Sequence, residues 1–127
     1  MIFEPKDPPR EFQVGLITKG VIRDCGSLRL APDEQVTLLT DAGGEYDVAR
    51  KSWGFYATPS LNGRLEHFNL RAVLVRSRID RFFLLLVERG REEAFESYIG
   101  SEGLTIVTWM DSTESLSAIA RGIAAIA

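Results

Sequence analysis

The sequence predicts a single α+β domain: an antiparallel or mixed β-sheet of about six to eight strands with two or three short helices, the last of them at the C-terminus. Three observations predict it. Short alternating β runs, punctuated by Gly and Pro, fill most of residues 11–88. Helical periodicity takes over at 91–100 and again in the tail. A chain of 127 residues, 45% hydrophobic and 26% charged, suffices for one buried core without a disulfide or structural metal. The chain divides into an extended N-terminal arm (1–10), an α+β domain (11–110) and an amphipathic helix (111–127).

The arm holds three prolines among alternating charges. "FQVGLIT" (12–18), "VIRD" (21–24) and "SLRLA" (27–31) read as three strands separated at Gly20 and Gly26. Pro32-Asp33-Glu34 is a turn. "QVTLLT" (35–40) and "EYDVAR" (45–50) flank "DAGG", a hairpin signal. In the second arm of that hairpin Tyr46 and Val48 face one way, while Glu45, Asp47 and Ala49 face a wet side. "WGFYA" (53–57) stays extended. Thr58 is placed to cap a short helix with Pro59 at its first position, and Leu61, Leu65 and Phe68 form its apolar stripe.

"LRAVLVRS" (70–77) and "RFFLLLVE" (81–88) are the strongest strand pair. The second is apolar on both faces, which predicts a central strand covered on both sides. Residues 91–100 form a helix with Ala94, Phe95, Tyr98 and Ile99 on one face, ended by Gly100 or Gly103. "LTIVTW" (104–109) is the last strand, with room before it for a crossover that would leave it parallel to 81–88 or for an antiparallel return. In the tail, Asp111 and Glu114 resemble a capping box, and Leu116, Ile119, Ile123 and Ile126 recur at helical spacing. So apolar a helix needs cover, from its own domain or from a second copy in a homodimer.

Composition restricts the chemistry. Cys25 is the only cysteine and His67 the only histidine, so neither a cysteine zinc framework nor a two-histidine scheme fits within one chain. Cys25 reads as a small packing residue rather than a nucleophile paired with His67. Asp24, Asp33, Glu34, Asp41, Glu45 and Asp47 crowd the N-terminal half, but in turns and on the wet strand face rather than at a catalytic spacing. No metal site and no cofactor are expected. No apolar run is long enough to cross a membrane and the N-terminus lacks a signal-peptide pattern, which predicts a cytoplasmic protein. A net charge of −3 disfavours nucleic acid as a partner. A local excess of Arg over acids between Arg64 and Arg91, with Arg71, Arg76, Arg78 and Arg81 about one hairpin, marks either a basic ridge or solubilising edge residues.

The segment "KSWGFYATPSLNGRL" (51–65) is the candidate binding surface. A helix opening at Pro59 would present free N–H groups to an anion. Arg50, Lys51, Thr58, Ser60, Asn62 and Arg64 would supply polar contacts and charge, and Trp53 or Tyr56 a stacking wall. Residues 33–88, the run "DEQVTLLTDAGGEYDVARKSWGFYATPSLNGRL" above all, resemble small uncharacterised bacterial proteins; that resemblance implies no activity and transfers no catalytic residue. The leading expectation is a non-catalytic accessory module that binds a small anionic ligand around residues 50–64. The alternatives are a small enzyme acting on an anionic substrate, sugar-linked ones included, and an interaction protein that works through its C-terminal helix.

Overall fold

A computed structural model describes residues 1–57 and 60–126 of the chain. It is an α+β domain of eight strands and three helices, in the order β1 (Ile2–Val14), β2 (Gly20–Arg29), β3 (Gln35–Leu39), β4 (Glu45–Lys51), β5 (Gly54–Tyr56), α1 (Arg64–His67), β6 (Leu70–Arg76), β7 (Phe82–Glu88), α2 (Glu92–Glu102), β8 (Thr105–Trp109) and α3 (Thr113–Ile126). The strands divide into three small antiparallel sheets: β1-β2, β3-β4-β5 and β7-β6-β8.

The third sheet organises the domain. β6 is its centre, paired with β7 on one side and β8 on the other. Val73, Val75 and Val87 turn to one face, where Phe95 and Ile99 of α2 close over them with Leu85, Leu104, Ile106 and Trp109 at the margins. On the other face Leu70 and Ala72 pack with Leu65 of α1, against Tyr46, Leu61, Leu86 and Met110. Strand alternation alone produces these two clusters from one run of apolar residues. Residues 81–88 are therefore not the covered central strand that their composition predicts. β7 lies at an edge, and Phe82, Phe83 and Leu84 are exposed there. The expected parallel relation of β7 and β8 holds in direction, since both run antiparallel to β6. They are not neighbours, because α2 carries the chain across β6.

The N-terminal arm is longer than its sequence pattern suggests. Residues 2–14 form one strand, and the two segments read as separate strands at 21–24 and 27–31 merge into β2. Pro5, Pro8 and Pro9 give β1 no N–H at those positions, and the register slips between Pro5 and Arg10. Polar contacts hold the arm at both ends. The Met1 ammonium lies 3.0 Å from Glu34. At the tip, Glu102 Oε2 accepts the N–H groups of Leu16 (2.5 Å) and Ile17 (2.9 Å). Gly15 makes the tip turn with φ +116°, and a Cβ there would collide with the Thr18 carbonyl at 2.0 Å. Gly103 ends α2 in the left-handed conformation, beside Ile17 and Arg78.

The tail helix starts one residue later than the Asp111/Glu114 pattern implies. Ser112 Oγ accepts the Ser115 N–H at 3.0 Å and is the cap. Asp111 is engaged instead by Arg71, whose Nε donates at 2.6 Å. No helix is long and apolar enough to cross a membrane among the described residues.

The grip of Glu102 on the arm tip predicts a pH dependence. The carboxyl is held below the ordinary carboxylate range, chiefly by the Ile17 N–H, against the opposing cost of burial. A lowered folded-state value stabilises the fold at neutral pH, and that contribution disappears as pH falls through the carboxylate range, below about 4.5. Glu102→Gln is expected to unfold more easily at neutral pH and to lose less on acidification than the parent. Urea midpoints measured from pH 7 to pH 3 check this, and parallel profiles for the two proteins would refute it.

Candidate functional site

The 50–64 segment is built on the sheet β3-β4-β5, whose central strand β4 carries Asp47, Arg50 and Lys51. Asp47 and Arg50 are three positions apart, so the pleat turns them to opposite faces. That alternation separates the two arginines that the sequence groups together.

On the Asp47 face, Thr37 stands directly across β3 and donates its hydroxyl to Asp47 Oδ1 at 2.7 Å. Arg64 of α1 closes the cluster by pairing its Nε with Asp47 Oδ2. The guanidinium also lies over the Phe68 ring, 4.4 Å from its centroid. Asp47 is buried, in contrast to the wet position expected from alternation. Its carboxyl is held below the usual range, first by the Thr37 hydroxyl and then by Arg64. Tyr56, Ser60 and Gln35 join Asp47 and Arg64 around a cavity of about 410 Å³. An ionised carboxylate already faces this cavity, so the cluster does not favour an incoming anion.

On the opposite face, Arg50 and its cross-strand neighbour Phe55 meet the β2 end of the arm. Glu4, Ser27, Leu28, Arg29 and Leu30 complete a groove of about 450 Å³. Arg50 Nη1 donates to the Leu30 carbonyl at 3.3 Å. Among the described residues it has no carboxylate within ion-pair distance. Arg29 reaches Glu4 at 3.4 Å, both side chains being largely exposed. The groove thus holds two guanidiniums, one carboxylate and an aromatic wall.

The remaining expected residues scatter. Lys51 pairs with Asp33 at 2.5 Å. Trp53 sits in the β4–β5 turn, 71% exposed. Asn62 Nδ2 donates to Thr113 Oγ1 at 3.1 Å, tying the α1 approach to the tail helix. Ser60 Oγ accepts the Arg64 N–H at 2.8 Å. Thr58 and Pro59, where the helix was expected to begin, lie outside the described residues. The helix itself begins at Arg64 and runs four residues, with residues 61–63 in a turn. Four residues make barely one turn and build no appreciable dipole, so an anion site at a helix end is not available here.

Three arginines of the 64–91 region also meet carboxylates. Arg71 is largely buried between Asp111 and Glu92, Arg76 lies 3.8 Å from Asp80, and Arg89 lies 3.8 Å from Glu66. Cys25 is exposed on β2 and His67 is on α1, with no contact between them. Among the described residues no group of three His, Cys, Asp or Glu side chains is placed to hold a metal.

Asp47 is the residue that sequence reasoning undervalued. An Asp mid-strand is disfavoured unless it has partners, and that propensity was the available signal. Replacing Asp47 with Ala removes two hydrogen bonds, one of them to a guanidinium. Stability is expected to fall by about 1–3 kcal/mol. Chemical denaturation reads the loss, and an unchanged midpoint would show that the cluster contributes nothing.

No protein-family description, curated protein or solved structure matches this chain, so the functional reading rests on the geometry of these two faces.

Proposed function

We propose that the protein is a non-catalytic binding module for a small anionic ligand, seated in the groove between the arm and β4-β5. The observation that carries this reading is the state of Arg50. Lys51 and Arg64 are neutralised by Asp33 and Asp47, whereas Arg50 donates only to a backbone carbonyl among the described residues. A guanidinium presents five N–H donors in a planar fork suited to a carboxylate or phosphate. Arg29 adds a second donor set across the groove. Its pairing with Glu4 is solvent-exposed, and such pairs are worth little, so an incoming anion displaces it at small cost. Phe55 offers a flat apolar face beside the charge, which suits a ligand with a planar portion.

A binding role fits the carboxylates better than acid–base chemistry does. A general acid at neutral pH needs a carboxyl value raised by burial or by a like charge. Asp47, the buried carboxylate paired with Arg64, is pulled the other way by its donors.

The test is a thermal-shift screen of the full chain with inorganic phosphate, pyrophosphate, citrate and a nucleoside monophosphate. At least one is expected to stabilise the parent and to bind Arg50→Ala on the order of tenfold or more weakly, as loss of charge-assisted hydrogen bonds implies. Arg64→Ala is expected to lower basal stability while keeping the ligand response. Absence of stabilisation by every anion, or an undiminished response in Arg50→Ala, would overturn the assignment.

A further inference from the structure

We propose that the protein is a two-fold homodimer whose seam is α3 of one copy against α3 of the other. The chain by itself leaves too much surface in water. It exposes 8941 Å², where a compact folded protein of 14.2 kDa exposes about 6,800 Å². The difference is roughly 2,200 Å² per chain, beyond the about 800 Å² per partner that a standard specific interface buries. Part of it lies on the β1–β2 arm and part on α3, none of whose residues is buried.

Among the described residues, the side-chain hydrogen bond that ties α3 to the domain lies at its beginning. The Ser112 cap and the Asn62–Thr113 bond fix its first turn, and Ser115, Leu116, Ser117 and Ile119 are half-buried. Every described residue from Ala120 onward is exposed, Ile123 at 59% and Ile126 at 86%.

The pattern on this helix fits a second copy of it. Leu116, Ile119, Ile123 and Ile126 are spaced three, four and three, the alternation of a two-helix seam. The flanking positions are Ser115, Ala120 and Gly122, small enough for close approach and free of like charges that would repel a copy. A helix that lies on a lipid surface carries a polar face rich in Lys and Arg. After Glu114, α3 has one charge, Arg121. A second copy satisfies the seam symmetrically, because a two-fold interface needs only one self-complementary patch. This is independent of the Arg50 groove, which lies on other elements.

Sedimentation equilibrium on the full chain is expected to return twice the monomer mass at micromolar concentration. Ile123→Glu and, separately, Ile126→Glu are expected to return the monomer mass with an unchanged far-ultraviolet circular dichroism spectrum, since both positions are outside the core. A Phe82→Glu control on the exposed β7 edge is expected to stay dimeric. A monomeric parent would overturn the proposal. So would helix variants that remain dimeric, a control that dissociates while they do not, or a monomer that floats with neutral phosphatidylcholine vesicles.

Discussion

The guanidinium of Arg71 ties together three separate parts of this fold. It projects from the central strand β6 and pairs with Asp111 at 2.6 Å and with Glu92 at 3.3 Å. It also stacks on Trp109, 4.0 Å from the ring centroid. Those partners belong to the β8–α3 junction, the start of α2 and the end of β8. One planar, permanently charged group therefore fixes where the crossover helix begins and where the last strand hands over to the tail. The carboxylates keep Arg71 firmly protonated, Asp111 first. Glu92 in turn accepts the Gly90 N–H at 2.5 Å, so the loop before α2 is drawn into the same network. Trp109 completes the arrangement by packing edge-on against Phe95, which links the charged cluster to the core beneath it.

Around this centre the domain is well covered, and away from it coverage thins quickly. The fully buried side chains lie on the β7-β6-β8 sheet and the α1 turn next to it. The β1–β2 arm has no buried residue and is fastened by ionic and charge-assisted contacts at its ends. The contrast has a physical consequence. Apolar burial resists water uniformly along a surface, whereas a few polar fastenings hold only where their partners are ionised. The arm and the tail helix are thus the parts of the molecule whose placement depends most on solution conditions and on company.

The binding reading follows from the way the fold sorts cations. Arg64, Lys51 and Arg71 each meet a carboxylate that the topology brings beside them, and each becomes a structural tie. Arg50 is turned by the strand pleat toward the arm, where it meets a backbone carbonyl and another arginine. Arg50 and Arg64, identical residue types fourteen positions apart, thereby acquire different chemistry. The apolar stripe on α3 is a parallel case. Its periodicity is helical, yet among the described residues its outer half, from Ala120 onward, is exposed.

The hairpin about Asp41–Gly44, the pairing of 70–77 with 81–88, the helix that follows it and the tail helix were all legible in the sequence, because each follows from local periodicity and turn chemistry; that Gly103 rather than Gly100 ends the first of these helices was not. The α+β class was legible for the same reason. Local pattern does not say which strand neighbours which. Tertiary pairing made β6 the centre and β7 the edge, divided the eight strands among three sheets and extended β1 through a proline-rich segment. It also decided the site. Alternation in β4 is readable, but the partner waiting on each face is not. Only the folded chain placed Arg64 on Asp47, buried a carboxylate that looked solvated, and left the Arg50 groove as the place where positive charge meets an open aromatic wall. Sequence determines what each residue can bond to within a few positions; distance in the chain carries no information about the charges that folding sets face to face.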